Sequence, residues 1–369
     1  MKIKGIIFII IGIIAIFGCK EAYEPTIIAS SNNYLVVEGY INTGGGQTTI
    51  KLSRTSNLKE GIKVIPESGA IVRIEGENGS TISSASEANG SYLIPTFNLN
   101  SNLKYRLYIK SKGKEYYSEY LVPIKTPPID SISWRKENEG VQLYVSTHDA
   151  LNNTRYYKWD FKETWEIRST YISFLELVNG KLEARDQRIN MTNCWKNVQS
   201  NQIYLGSSAA LSQNKITLNP ITFIEPGSEK LSQKYSILIS QYGLNEPGYK
   251  YYKNLKKNTE QIGGIFDSQP SEISGNIHCV SDPKELVIGF IMAGKVSDKR
   301  IFIDKDEILT WGYRVDCAID TIPLNKVIFN THKLFLYATV PPGNVIITEP
   351  FCVDCRLRGS NVRPSFWPN

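Results

Sequence analysis

The sequence predicts a mainly β protein. An N-terminal immunoglobulin-like or transthyretin-like β-sandwich over residues 34–126 is followed by a larger β-rich domain over residues 127–369 with one short amphipathic helix. Three observations predict this. Short runs of β-branched and aromatic residues alternate with polar ones at period two. Turn pairs containing glycine punctuate those runs. One segment alone trades the alternation for helical spacing.

The first strand is expected at 34–41, where Tyr34-Leu-Val-Val-Glu-Gly-Tyr-Ile41 alternates, with 48–54 as its neighbour across Gly44-Gly45-Gly46. Further strands are expected at 70–75, 91–94, 104–110 and 115–122, separated by Asn78-Gly79, Asn89-Gly90 and Lys112-Gly113. Many short strands without a helical period read as a sandwich. The stretches 69–74, 89–92 and 105–107 resemble the carboxypeptidase-regulatory-like modules of exported proteins, which serve as scaffolds or binding platforms. Pro123, Pro127 and Pro128 then interrupt the ladder pattern and mark a domain boundary. Longer, more aromatic strands are expected beyond it at 129–134, 141–147 and 156–167. The helix is expected at 246–258, with Pro247 in its first turn. Tyr249, Tyr252 and Leu255 fall on one side, while Lys250, Lys253 and Lys257 turn away and Lys256 flanks them. A lysine face could touch acidic lipid or a partner, although a solvated face is the commoner explanation.

The first residues carry no fold signal but do carry an export signal. Lys2 and Lys4 precede an uncharged apolar run of 13 residues, 5–17, too short for the roughly 20 that a spanning helix needs. Gly18-Cys19 followed by Lys20-Glu21 resembles a lipobox, so residues 1–18 are expected to be a cleaved lipoprotein signal peptide and Cys19 the acylated N-terminus. Residues 19–33, poor in aliphatic runs, read as a flexible tether.

Of the 369 residues, 42 are basic and 36 acidic, giving a net charge of +6 with no long basic run. Nucleic-acid binding therefore has no electrostatic footprint. Neither Gly-x-Ser-x-Gly nor His-Glu-x-x-His is present, and the histidines His148, His278 and His332 sit in no triad pattern, so no catalytic, cofactor or metal residue is assigned. The phosphate-loop spacing from Gly289 to Gly294-Lys295 fails at Val296, where Ser or Thr is required. Asp304-Lys-Asp-Glu307 lacks the glycine of a calcium loop. Beyond Cys19 there are five cysteines. In an exported protein, disulfides among Cys194, Cys317, Cys352 and Cys355 are the leading expectation. The Cys352-x-x-Cys355 spacing also admits a redox or zinc reading, the latter with His278 and Cys279. Near the C-terminus, Phe366 and Trp367 between Pro364 and Pro368 read as a rigid aromatic plug.

Several segments together resemble one family, the Bacteroidota lipoproteins catalogued as domain of unknown function 4249. They are Cys19, residues 34–40, 235–242, 263–267, Gln269-Pro270, 275–277, 287–290 and 300–303, and the tail from Cys352-Val-Asp-Cys355 through Arg358-Gly359 to residues 363–368. The resemblance implies an outer-membrane lipoprotein, exposed at the cell surface, that serves as a noncatalytic accessory of a TonB-dependent receptor in ligand capture or uptake. A glycan or peptide hydrolase and a structural or adhesive protein are the alternatives. Asp130-Ser131-Ile132 and Asp320-Thr321-Ile322 resemble the O-glycosylation motif of that phylum and mark Ser131 and Thr321 as acceptors.

The lipidation reading predicts that Cys19→Ala releases the protein from the membrane fraction. Retention of the variant after a salt wash would contradict it.

Overall fold

The computed structural model describes residues 33–56, 64–96, 99–179, 181–260, 275–308, 311–329, 334–339 and 343–368. Cys19 and the expected signal and tether up to residue 32 lie outside them.

The chain is mainly β, as the alternation predicts. In the N-terminal sandwich a six-stranded sheet contains Leu35–Gly39, Thr48–Arg54 and Ser91–Ile94. A five-stranded sheet contains Ile71–Gly76, Tyr105–Ser111 and Lys114–Ser118. The first two strands pair antiparallel, Leu35 opposite Arg54 and Gly39 opposite Ile50. The inward residues of both sheets, among them Leu35, Val37, Ile50, Leu52, Val72, Ile74, Leu107 and Tyr116, form one core. Asn89-Gly90 and Lys112-Gly113 both take positive φ at both positions, as a tight two-residue hairpin turn requires.

This sandwich is not built from residues 34–126 alone. Ile277–Cys279 adds a strand beside Lys114–Ser118, and Val287–Ile288 pairs parallel with Leu35 and Val36. Ala293–Gly294 pairs parallel with Ile41 and Asn42. The sequence-based boundary at residue 126 therefore separates the strands only in chain order. Close backbone approach demands glycine along the inserted stretch. A Cβ on Gly289 would sit 2.4 Å from the Val37 carbonyl oxygen, and one on Gly294 would sit 2.5 Å from that of Ile124. The spacing that imitates a phosphate loop is thus a packing requirement.

A buried ion network holds the insertion in place. Arg54 donates from Nε and Nη2 to Glu67, both at 3.1 Å, and from Nη1 to Glu285 at 3.3 Å and to the Asn33 carbonyl at 3.1 Å. Tyr116 donates to Glu285 at 2.7 Å, while Lys114 bonds Glu285 and lies 3.1 Å from Asp282.

The second sandwich faces a three-stranded sheet, Ile129–Glu137, Gly140–His148 and Lys215–Ile224, against a five-stranded one. The latter is centred on Tyr156–Arg168 and Lys234–Leu244, with Asn193–Gln199 and Val296–Asp304 at its edges. Its core stacks Tyr157 on Trp159 and includes Phe161, Trp165, Ile237 and Ile239. Gln241 spans that core with both amide hydrogens donated and its oxygen accepting. It accepts from Trp159 Nε1 at 2.8 Å and donates to Thr147 at 3.0 Å and to the Pro127 carbonyl at 2.9 Å. The proline segment is therefore a bonded crossing between the sandwiches rather than a free linker. A third, smaller sheet joins Leu175–Val178, Lys181–Ala184, Ile319–Pro323, Leu334–Thr339 and Asn344–Thr348.

The helix runs Glu246–Glu260. Its most buried side chain is Tyr251, packed on Phe290, rather than the expected Tyr249 or Tyr252. The reason is Gly248, which lets this face close onto Met292. Lys256 turns inward to the Ile203 carbonyl and Glu260, while Lys250, Lys253 and Lys257 face solvent.

Two disulfides, Cys194–Cys355 and Cys317–Cys352, pin the C-terminal segment. Beyond them Trp367, 7% exposed, packs edge-on against Trp195 and Phe302, and the Arg300 guanidinium lies 3.6 Å from the centre of the Phe366 ring.

Burial alone would raise the Glu67 carboxyl, but hydrogen bonds from Arg54, Ser111 and Lys112 outweigh it and lower it from 4.5 to about 2. A carboxyl lowered on folding contributes stability that is present above 4.5 and lost as the pH falls towards about 2. Glu67→Gln should thus cost on the order of 3 kcal/mol at pH 7 by urea denaturation, since it breaks a buried pair. The gap from the parent should close as the pH falls through that window. Truncation at residue 361 should lower the melting temperature, and Trp367→Ala alone should cost about 3 kcal/mol. An unchanged melting temperature would refute the plug.

Candidate interaction surface

Alternation along a strand sends every second residue to the outside, and strand register decides which outward residues become neighbours. On the five-stranded N-terminal sheet the register places His278, Tyr117, Tyr108, Arg73 and Ser83 in one row across all five strands. The rows on either side bring Glu115, Lys110 and Ile71 together, and Arg106, Glu75 and Thr81.

The arginines lie flat on the tyrosines. Arg73 is 3.8 Å from the Tyr108 ring centre, and Arg106 is 4.3 Å from that of Tyr117 and 4.9 Å from that of Tyr120. Such stacking is worth about 0.5–1 kcal/mol at an exposed site and holds the guanidinium in one place. Glu75 bridges both cations, 2.7 Å from Arg73 and 2.7 Å from Arg106. Partial burial would raise its carboxyl, but hydrogen bonds from Arg106 and Arg73 prevail and lower it. Glu115 is lowered chiefly by its hydrogen bond from Lys110, then by that from Tyr108. The Tyr108 hydroxyl is raised by desolvation and then by that same Glu115 bond. Ile71 and Val280, more than half exposed, add apolar surface at the margin.

The result is a preordered face of Arg and Tyr in which three cations, Arg73, Arg106 and Lys110, share two carboxylates, Glu75 and Glu115. Among the described residues no three His, Cys, Asp or Glu side chains are placed to hold a metal. Two acids of the second sandwich have cationic partners. Glu163 accepts from Lys230 at 2.7 Å and Tyr235 at 2.8 Å, and Glu229 accepts from Arg358 at 2.7 Å.

The residues singled out from the sequence fall elsewhere. Cys352 and Cys355 bond to Cys317 and Cys194 respectively and not to each other, so their spacing forms no redox pair. His278 and Cys279 point to opposite faces of one strand, the thiol buried and unpaired, which removes the zinc reading. Ser131 is exposed at a bulge next to Asp130, which pairs with His148 at 2.8 Å. Thr321 is exposed on its strand. Sequence reasoning missed Arg73, Arg106, Tyr108 and Tyr117. The available signal was the period-two pattern Arg73-x-Glu75 and Arg106-x-Tyr108-x-Lys110, but only register shows that these patterns share a face.

A family model described as Domain of unknown function (DUF4249) matches residues 20–300, which contain the whole Arg/Tyr face and stop short of the tail. No curated protein matches the chain.

Proposed function

The chain belongs to the DUF4249 family, and from that premise we propose that it is a lipid-anchored outer-membrane lipoprotein of the cell surface. In this reading it is a noncatalytic accessory of a TonB-dependent transporter that helps capture or deliver the ligand. The observation that supports docking is the stacked Arg/Tyr face, because Arg and Tyr dominate the energetics of protein interfaces. Binding normally forfeits about 0.5–1.5 kcal/mol of rotamer entropy for each side chain it immobilises. Here Arg73 and Arg106 are already immobilised by Glu75 and the rings beneath them. Glu75 offsets one of their two charges, which lowers the cost of drying the face and leaves it net positive.

Affinity purification from detergent-solubilised outer membranes tests this. The parent protein should bring down a β-barrel transporter. The Arg73→Ala/Arg106→Ala/Tyr117→Ala variant should lose at least about 90% of it, more than 1.4 kcal/mol, without a matching fall in melting temperature. Recovery of no β-barrel, or equal recovery by the variant, would overturn the proposal.

A further inference from the structure

The antiparallel pairing of Lys234–Leu244 with Val296–Asp304 sets Lys234 opposite Asp304. The turn before one strand and the turn after the other therefore open at the same end of the sheet, joined by the Lys305 amide donating to the Gln233 carbonyl at 2.8 Å. A shallow, solvent-open cavity of about 400 Å³ lies there, lined among others by Ser232, Gln233, Lys305, Asp306, Trp311 and Tyr313. At roughly 30 Å³ per water it has room for about a dozen waters.

Both aromatic residues are held by their polar tips. Trp311 Nε1 donates to the Ser228 carbonyl at 2.7 Å, and the Tyr313 hydroxyl donates to Glu229 at 3.1 Å. Glu229 is in turn held by Arg358 and by Trp165 Nε1 at 3.2 Å. The hydrogen-bonding capacity of the rings is spent, and they bring apolar surface to the cavity. The polar lining is the reverse. The side chains of half-buried Ser232 and Gln233 and of exposed Lys305 and Asp306 have no hydrogen-bond or ion-pair partner among the described residues, whereas neighbouring Glu307 accepts from the Asp304 amide at 2.8 Å. Hydroxyl, amide, ammonium and carboxylate together offer donors and acceptors in a small space, and the one positive and one negative charge cancel.

We infer that this cavity binds a neutral, hydroxyl-rich ring, a mono- or disaccharide. Each sugar hydroxyl both donates and accepts, which suits the mixed lining, and the C–H faces of the ring suit the aromatic surface. The absence of a net lining charge disfavours phosphate and other strongly charged ligands. The inference is independent of the docking face, which lies on the other sandwich.

Calorimetric titration of the full chain with glucose, galactose, mannose, N-acetylglucosamine, maltose and lactose tests it. Dialanine and inorganic phosphate serve as competing classes. At least one sugar should bind saturably with a Kd of about 1 mM or tighter. Gln233→Ala and Asp306→Ala, both substitutions outside the core, should each weaken that binding about tenfold while leaving the melting temperature unchanged. Saturable binding by no sugar, binding undiminished in both variants, or occupancy by dialanine or phosphate in preference to sugars would overturn the inference.

Discussion

The structure depends on one non-local constraint, the pairing of the two places where the chain crosses between sandwiches. The first crossing, around Ile124, and the second, at Gly294, run parallel and are joined by Ile124 N–H to the Ala293 carbonyl at 2.8 Å and Lys295 N–H to the Ile124 carbonyl at 3.2 Å. The N-terminal sandwich is complete only when residues 277–294 have returned to it. Loop-closure entropy grows slowly with length, so the return is thermodynamically tolerable, but contacts of such high sequence separation slow folding. The Arg54–Glu67–Glu285 network marks the inserted stretch as the correct partner, since Glu285 supplies an acceptor for Arg54 and for the buried Tyr116 hydroxyl.

Both surfaces described above lie on this path. Ile277–Cys279 is the strand that places His278 at the end of the Arg/Tyr row. After the crossing, Val296–Asp304 enters the second sandwich and ends at Lys305-Asp306, on the cavity. The two regions manage their charges in opposite ways. On the N-terminal face every cation of the stacked rows has a carboxylate partner. Around the cavity Ser232, Gln233, Lys305 and Asp306 have no partner among the described residues.

The C-terminal segment is held by covalent bonds as much as by burial. Cys194–Cys355 ties residues 161 positions apart, and both sulfurs lie in the core of the second sandwich. Cys317–Cys352 ties the smaller sheet, which has a modest core around Val345 and Ile347. Long cross-links of this kind restrict the unfolded chain most strongly, which suits a region whose apolar burial is slight. The neighbouring positions of Cys352 and Cys355 on successive turns allow one short segment to anchor two distant parts of the fold.

The sequence by itself determined the strand content, because period-two alternation and the Asn-Gly and Lys-Gly turns are local signals. It also determined the helix near 246–258 and family membership, from motifs spread along the chain. It marked Phe366 and Trp367 as a plug because prolines flank them, and packing buries Trp367 while Phe366 stays 38% exposed beside Arg300. Tertiary structure alone decided which strands distant in the chain share a sheet. The return of residues 277–294, the row from His278 to Ser83 and the meeting of Gln233 with Lys305 all depend on register between distant segments, and register has no trace in the composition of either segment. The buried side of the helix likewise turned on Gly248 meeting Met292, a contact between residues far apart in the chain. Local chemistry states what a segment can become, and only packing against a partner selects its neighbours.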